Sequence, residues 1–194
     1  IGKAKTGDFE AFMQLVDAHK DKVYGMIRRL AGNSQDAEDI MQDSLIRAID
    51  KIDQFKGESS FGTWLYSIAL NMARAEFAKR KQADLKPIEE YLPKSSSGHQ
   101  HEHSRAKLFD WKDPHKLMES KQLGRLIDKA VGELPFEYRE VFILRYVEEF
   151  SIKEVAKLTG QSEASAKSRV LRARLAMRDK LSKEFEAEYD RKLS

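Results

Sequence analysis

The sequence predicts an all-α protein of two small helical domains, residues 1–82 and 119–194, joined by a flexible linker over residues 83–118. Three observations carry this expectation. Only four prolines and ten glycines punctuate 194 residues, and the stretches between them are rich in Ala, Leu, Glu, Lys and Arg, which favour helix. Apolar residues recur at spacings of three and four in two separate blocks. Between those blocks the regularity fails. With 41% apolar and 35% charged residues, the chain can fill small cores under a charged surface more readily than one deep core.

In the first block, Phe9, Phe12, Leu15, Val16, His19, Val23, Met26, Ile27 and Leu30 mark one helix over residues 8–30. Gly32 and Asn33 make a turn. A second helix runs from about Ser34, its expected N-cap, to Ile52. Its apolar stripe is Ala37, Ile40, Met41, Leu45, Ala48 and Ile49, and Asp36, Asp39 and Asp43 fall on the other side. Residues 53–60 break the pattern. A third helix, about Phe61 to Lys81, turns Trp64, Leu65, Ile68, Ala69, Met72 and Phe77 inward and ends in Arg80 and Lys81.

Pro87, Pro93, Pro114 and the run Ser95 to Gly98 mark the linker. Leu108, Phe109 and Trp111 within it are too apolar for a pure spacer. Regularity returns at Ser120. Leu123, Leu126, Ile127, Ala130 and Val131 define a helix that Gly132 and Pro135 terminate. Pro135 then suits the first turn of the next helix, which runs through Tyr146. Ser151 and Glu154 have capping-box spacing and open a short helix that stops at Gly160. Ser162 caps the last long helix, which runs to about Phe185.

Charge divides the chain. Residues 151–183 carry nine Lys/Arg against three acids, whereas residues 33–43 carry four acids and no base. The net charge of the whole, +3, is a weak hint of a polyanionic partner. Two opposite surfaces on one chain call for two kinds of partner. The absence of cysteine excludes disulfides and thiolate chemistry and fits a reducing cytosol. No apolar run approaches the roughly 18 residues of a membrane span, and no signal-peptide pattern opens the chain. The expected location is cytoplasmic.

Two helices separated by a tight glycine turn form the helix-turn-helix pattern. Here Ile152–Thr159, with Val155 and Ala156 inward, is followed by Gly160, Gln161 and Ser162. The second helix carries Lys167, Ser168, Arg169, Arg172 and Arg174. A helix fits the major groove, Arg172 can grip guanine with two hydrogen bonds, and flanking cations can neutralise phosphates. Charge alone would favour a merely solvated basic helix. The capping box, small Ala156 and Gly160 turn tip the balance towards DNA.

These residues resemble a known family. Leu134 and Pro135, Tyr138 to Phe142, Ser151 to Ala156 and Ala166 to Arg174 look like region 4 of the extracytoplasmic-function sigma factors. Asp36 to Asp43 resembles region 2.2, and Phe55 to Ala69 resembles the run from region 2.3 into 2.4. The two halves stand in the family's order and spacing. The resemblance implies a first domain that binds the clamp helices of the largest subunit of core RNA polymerase and melts the promoter −10 element. It implies a second that reads the −35 element as duplex, with the polymerase flap as a further partner.

Carried over residue by residue, polymerase contacts fall on Asp39, Gln42 and Asp43, with Asp36 nearby. Ser59, Ser60 and Phe61 match the loop that captures a flipped base, although Phe61 suits the core equally well. Asn71, Arg74 and Ala75 flank that pocket. Ala75 stands where some members have a polar base-reading side chain. Lys167, Ser168, Leu171 and Arg172 match base-edge and groove positions, and Arg139, Arg169 and Arg174 suit phosphates. An anti-sigma protein is the expected inhibitor, by family habit.

Two rivals start from other features. His99, His101 and His103, with His115 beyond, have spacing that could hold a metal. Short His tracts are common in linkers, however, and no HExxH, GxSxG or GxxxxGK[ST] pattern occurs. Neither metal, cofactor nor catalysis is therefore expected. A stand-alone DNA-binding regulator would explain the helix-turn-helix but not the acidic helix or the Gly57–Trp64 run.

Overall fold

The computed structural model describes residues 1–81 and 120–193, with side chains over 1–80 and 123–185. The linker, its Leu108, Phe109 and Trp111, and the His99–His103 patch lie outside the described residues. Nine α-helices and no strand occur among the described residues. The helices are α1 (Gly2–Lys5), α2 (Phe9–Asp17), α3 (Lys20–Ala31), α4 (Ser34–Asp50), α5 (Phe61–Lys81), α6 (Ser120–Gly132), α7 (Phe136–Phe142), α8 (Ile152–Thr159) and α9 (Glu163–Leu193).

The first domain closes α3, α4 and α5 around Val23, Met26, Ile27, Leu30, Ala37, Ile40, Ala48, Leu65, Ala69 and Leu70, all buried. The helix expected over 8–30 is two helices. Ala18 and His19 interrupt it, and His19 has φ −130° and ψ −17°. The cause is tertiary. The His19 ring packs over Gly62, where an added Cβ would stand 2.8 Å from it. The cap of α4 is Asn33, not Ser34: its side chain accepts from the Asp36 N–H at 2.9 Å. Gly32 ends α3 with φ +81°, a left-handed geometry that glycine adopts without strain.

In the second domain, α7 continues into a π-helical turn over Ile143–Val147 instead of the regular helix expected through Tyr146. Its wider turn is closed by the Glu148 N–H donating to the Ile143 carbonyl at 3.0 Å. Around it, Leu134, Val141, Ile143, Leu144, Val155, Ala166, Val170, Ala173 and Met177 form the core.

The two domains are docked. Helix α3 lies against α6 and α7, and α5 against α8. Phe77 of α5 packs on Phe136 with ring centroids 4.4 Å apart, and Tyr66 meets Phe150 edge-on at 5.2 Å.

Candidate functional site

The helix-turn-helix is built from strong local signals. Ser151 and Glu154 form a reciprocal capping box at the start of α8, which lowers the Glu154 carboxyl below its ordinary range. Gly160 ends α8 with φ +66°. Ser162 then accepts from the Ser165 N–H at 3.2 Å as α9 begins. Ala166, Val170 and Ala173 of α9 are buried against Val155 and Ala156 of α8. That orientation turns Lys167, Ser168, Leu171, Arg172 and Arg174 to solvent. Leu171 is 47% exposed, high for a leucine in a folded helix. Arg169 is half-buried instead, with its charge near Glu140.

On α4, Asp39, Gln42 and Asp43 are exposed. Asp36, expected near them, is half-buried instead. Arg80 and Asn33 both donate to its carboxylate, and these two hydrogen bonds hold its pKa below the ordinary carboxylate value. Asp36 therefore fastens α4 to α5. Ile49, expected inside, is 36% exposed, and Ile46 is 60% exposed. Both extend the face of Asp39 and Asp43 towards the end of the helix. The signal for Ile46 was its position seven residues after Asp39.

Ser59, Ser60 and Phe61 enter α5 together but are placed differently. Ser60 caps the helix, its hydroxyl accepting from the Thr63 N–H at 3.1 Å. Ser59 is half-buried beside it. Phe61, which suited the core and the base-capturing loop equally, is only 5% exposed and packs among Phe12, Phe55, Trp64 and His19, with centroids 5.6–6.3 Å away. A ring so enclosed shapes the loop from below and offers no free face for a base. Asn71 and Ala75 are exposed on α5.

Arg74 commits all three guanidinium nitrogens. Its Nε donates to Glu140 at 2.9 Å, Nη1 to the Asn71 side-chain oxygen at 3.1 Å and Nη2 to the Leu158 carbonyl at 3.2 Å. Two of those partners belong to the other domain. Arg139, expected on a phosphate, is also corrected. Its guanidinium donates to the Leu30 carbonyl of the first domain at 2.7 Å and to the Gly132 and Leu134 carbonyls, and burial pushes its pKa down. Its Nε is buried without a hydrogen-bond partner. Arg139 thus joins the ends of α3 and α6.

Sequence reasoning missed Glu140 and the pair of Tyr66 with Glu148. Glu140 is 3% exposed, and burial raises its pKa against the opposing charge of Arg74. The Tyr66 hydroxyl donates to Glu148 across the domains, and burial above all raises its pKa. Their only sequence signal was a polar residue at a helix position facing inward. An open cleft of about 920 Å³ runs along this boundary, lined by Arg74, Phe77, Leu134, Pro135, Phe136 and Arg169 among others. Among the described residues no cluster of His, Asp and Glu has metal-site geometry, and no helix is long and apolar enough to cross a membrane.

An exposed basic helix-turn-helix and a separate helical domain with an acidic face define a DNA-binding protein with a second, protein-directed surface. Residues 15–83 match the family pattern Sigma-70 region 2, and residues 124–177 match Sigma-70, region 4. The chain is 34% identical over 182 residues to the ECF RNA polymerase sigma factor SigW of Bacillus subtilis (strain 168), covering 93% of this chain and 94% of that protein. It is 30% identical over 181 residues to the ECF RNA polymerase sigma-E factor of Haemophilus influenzae, with 93% of each covered. The sigma factor RpoE from Bartonella quintana, solved in complex with the anti-sigma factor NepR, superposes with a TM-score of 0.62 at 25% identity, over 89% of this chain and 98% of that one. This chain belongs to the ECF RNA polymerase sigma factors of the sigma-70 family.

Proposed function

We propose that the two exposed faces divide the work of promoter recognition in this sigma factor. The α4 face of Asp39, Gln42 and Asp43 binds the clamp helices of core RNA polymerase, and the second domain adds a contact to the flap. Lys167, Ser168, Leu171 and Arg172 read the −35 element in the major groove, with Arg174 and the half-buried Arg169 on phosphates. Ser59, Ser60, Asn71, Arg74 and Ala75 surround the melted −10 strand, where an unstacked base needs a polar or aromatic pocket. The polymerase supplies the chemistry, so this chain has no catalytic residue and needs no cofactor.

One observation carries this reading. The exposed Lys167–Arg174 face and the exposed Asp39–Asp43 face occur in one chain, on separate domains, in the family's order. A phosphate-binding face gives DNA affinity that falls steeply with salt. The acidic face gives the second partner that a plain repressor lacks. Control by an anti-sigma factor follows from the solved relative, which is bound to one. The chain then works in the cytoplasm, held at the membrane where its inhibitor is anchored there.

Core polymerase mixed with the chain and genomic DNA tests the reading, with the transcripts made in vitro sequenced. A sigma factor co-purifies with the core enzyme and gives transcripts that share −35 and −10 elements. A stand-alone regulator binds duplex unaided and confers no initiation, and that result overturns the proposal.

A further inference from the structure

We propose that His19 is a positioning residue for capture of the melted −10 strand: its ring sets the height of the first turn of α5, and that turn carries the Ser59–Ser60 loop. This rests on the reading of that loop above and deepens it. Gly62 stands in the first turn of α5 with ordinary helical backbone, so no left-handed angle calls for a glycine there. Glycine is also the poorest helix former after proline. What calls for it is close approach. A Cβ on Gly62 would stand 2.8 Å from both Cε1 and Nδ1 of the His19 ring and 3.3 Å from its Cγ. The first turn of α5 thus gives up helix propensity to admit a ring from another segment.

The ring is held firmly enough to act as a stop. The His19 N–H donates to the Val16 carbonyl at 2.8 Å, and its own carbonyl accepts from the Val23 N–H at 3.0 Å. Its backbone is therefore tied to both α2 and α3. The ring also packs on Phe61, with centroids 6.0 Å apart and planes tilted by 38°. Phe61 is in turn fixed edge-on by Phe12 and Phe55. Contacts of this kind act through the shape of a flat ring in a close-packed site.

The exposed loop residue follows the turn. The Ser60 hydroxyl accepts from the Thr63 N–H at 3.1 Å and lies 2.9 Å from the Thr63 hydroxyl. The Ser60 carbonyl accepts from the Trp64 N–H at 3.1 Å and from the Ser59 hydroxyl at 3.3 Å. Three of these four bonds end on the turn that Gly62 occupies, and the fourth brings Ser59 along. A displacement of Gly62 is therefore passed to the loop. The α4 face of Asp39 and Asp43 and the α9 face of Lys167 and Arg172 share none of these contacts. His19 thus governs how well the loop fits a strand, and not the affinity for polymerase or for duplex.

The test uses the holoenzyme, kept well below the unfolding temperature of every variant. A non-template −10 oligonucleotide, taken from a promoter that the chain transcribes in vitro and carrying 2-aminopurine, reports strand capture. Affinities for core polymerase and for −35 duplex are read on the same variants. Gly62→Ala should weaken strand capture by roughly tenfold, as moderate overpacking does where the loop yields to the strain. The other two affinities should stay as they are. Adding His19→Ala to the Gly62→Ala chain should recover most of the capture. In the native chain, His19→Ala should weaken capture, and His19→Phe, which keeps a flat ring, should retain it. The proposal is overturned when Gly62→Ala leaves capture unchanged, when the double variant recovers none of it, or when all three affinities fall together, the mark of a domain merely loosened. It is overturned also when His19→Phe loses capture as fully as His19→Ala, since the imidazole would then touch the strand itself. The loop has its own control. Ser60→Cys introduces the only cysteine of the chain, and a photocrosslinker attached there probes the strand. A crosslink to the −10 strand, with capture unmoved by Gly62→Ala, sinks the role of His19 alone. No crosslink sinks the reading of the loop and the role of His19 with it.

Discussion

Arg74 of α5 and Glu140 of α7 are paired at 2.9 Å across the boundary between the two domains, although 66 residues separate them in sequence. Glu140 is the more buried partner, and it depends on Arg74 more than Arg74 depends on it. Truncating Arg74 leaves a buried carboxylate without its charge-assisted bond. Truncating Glu140 leaves a cation that water can reach. Arg74→Ala should therefore lower the unfolding free energy by about 1–3 kcal/mol, and Glu140→Ala by less. Urea denaturation of both single variants and the double variant measures this, with a coupling term between them. Equal losses in the two single variants would contradict the asymmetry.

The same pair sets a pH dependence. Burial pushes the Glu140 carboxyl above the ordinary carboxylate range. The Arg74 charge and hydrogen bond oppose this, as does Arg169 from α9, while Glu137 on α7 adds to it. A carboxyl that holds its proton more tightly folded than unfolded gives stability that is fully present below the unfolded pKa. That stability is lost as pH rises through the folded pKa. Glu140→Gln cannot ionise and lacks this loss. The variant should gain on the native chain as pH rises from about 4 to 7, read as the difference in their urea-denaturation free energies. A difference that stays constant over this range would mean that Arg74 fully offsets the burial.

A third prediction concerns the break between α2 and α3. Gly62 lets the His19 ring lie where a Cβ would come within 2.8 Å of it. The ring is also held by Phe61, 6.0 Å away between centroids. It cannot give way without moving the start of α3 or the aromatic cluster. Gly62→Ala should gain slightly in helix propensity within α5 yet lose about 1–3 kcal/mol overall from overpacking. His19→Ala in the same chain should relieve most of that loss. Thermal unfolding of the two single variants and the double variant would decide it, and a Gly62→Ala chain as stable as the parent would remove the proposed contact.

What could be read from the sequence follows from where each signal lies. The Ser151–Glu154 box, the Gly160 turn and the Ser162 cap are written within a few residues, and the helix-turn-helix was legible from them. The α4 face was legible because Asp39 and Asp43 are spaced four apart on the side of the helix away from its apolar stripe. The break at Ala18 and His19 was not, because the apolar period runs through it and its cause sits on α5. Arg139 was expected on a phosphate because an arginine near a recognition element suits one, and Arg74 beside the melted strand because the family resemblance places it there. Their carbonyl and carboxylate partners come from the opposite domain, which no local pattern names. Phe61 was undecided from sequence for a similar reason: Phe12, Phe55 and Trp64 enclose it only after α2 and α5 meet.

The exposed α9 face yields the last prediction. Arg172 stands free on the helix side that also carries Lys167, Ser168 and Leu171, while Ala166, Val170 and Ala173 anchor the opposite side. A guanidinium so placed can meet the two acceptors of a guanine, whereas Lys167 delivers a point charge. Arg172→Ala should cost about 1–3 kcal/mol of −35 binding and relax preference at one base pair. Arg174→Ala should weaken binding to all sequences alike and lower the salt slope by about one ion. Binding isotherms over a set of −35 variants at several salt concentrations separate the two effects. If Arg172→Ala weakens every sequence equally, its side chain lies on the phosphates, and the register of α9 in the groove shifts accordingly.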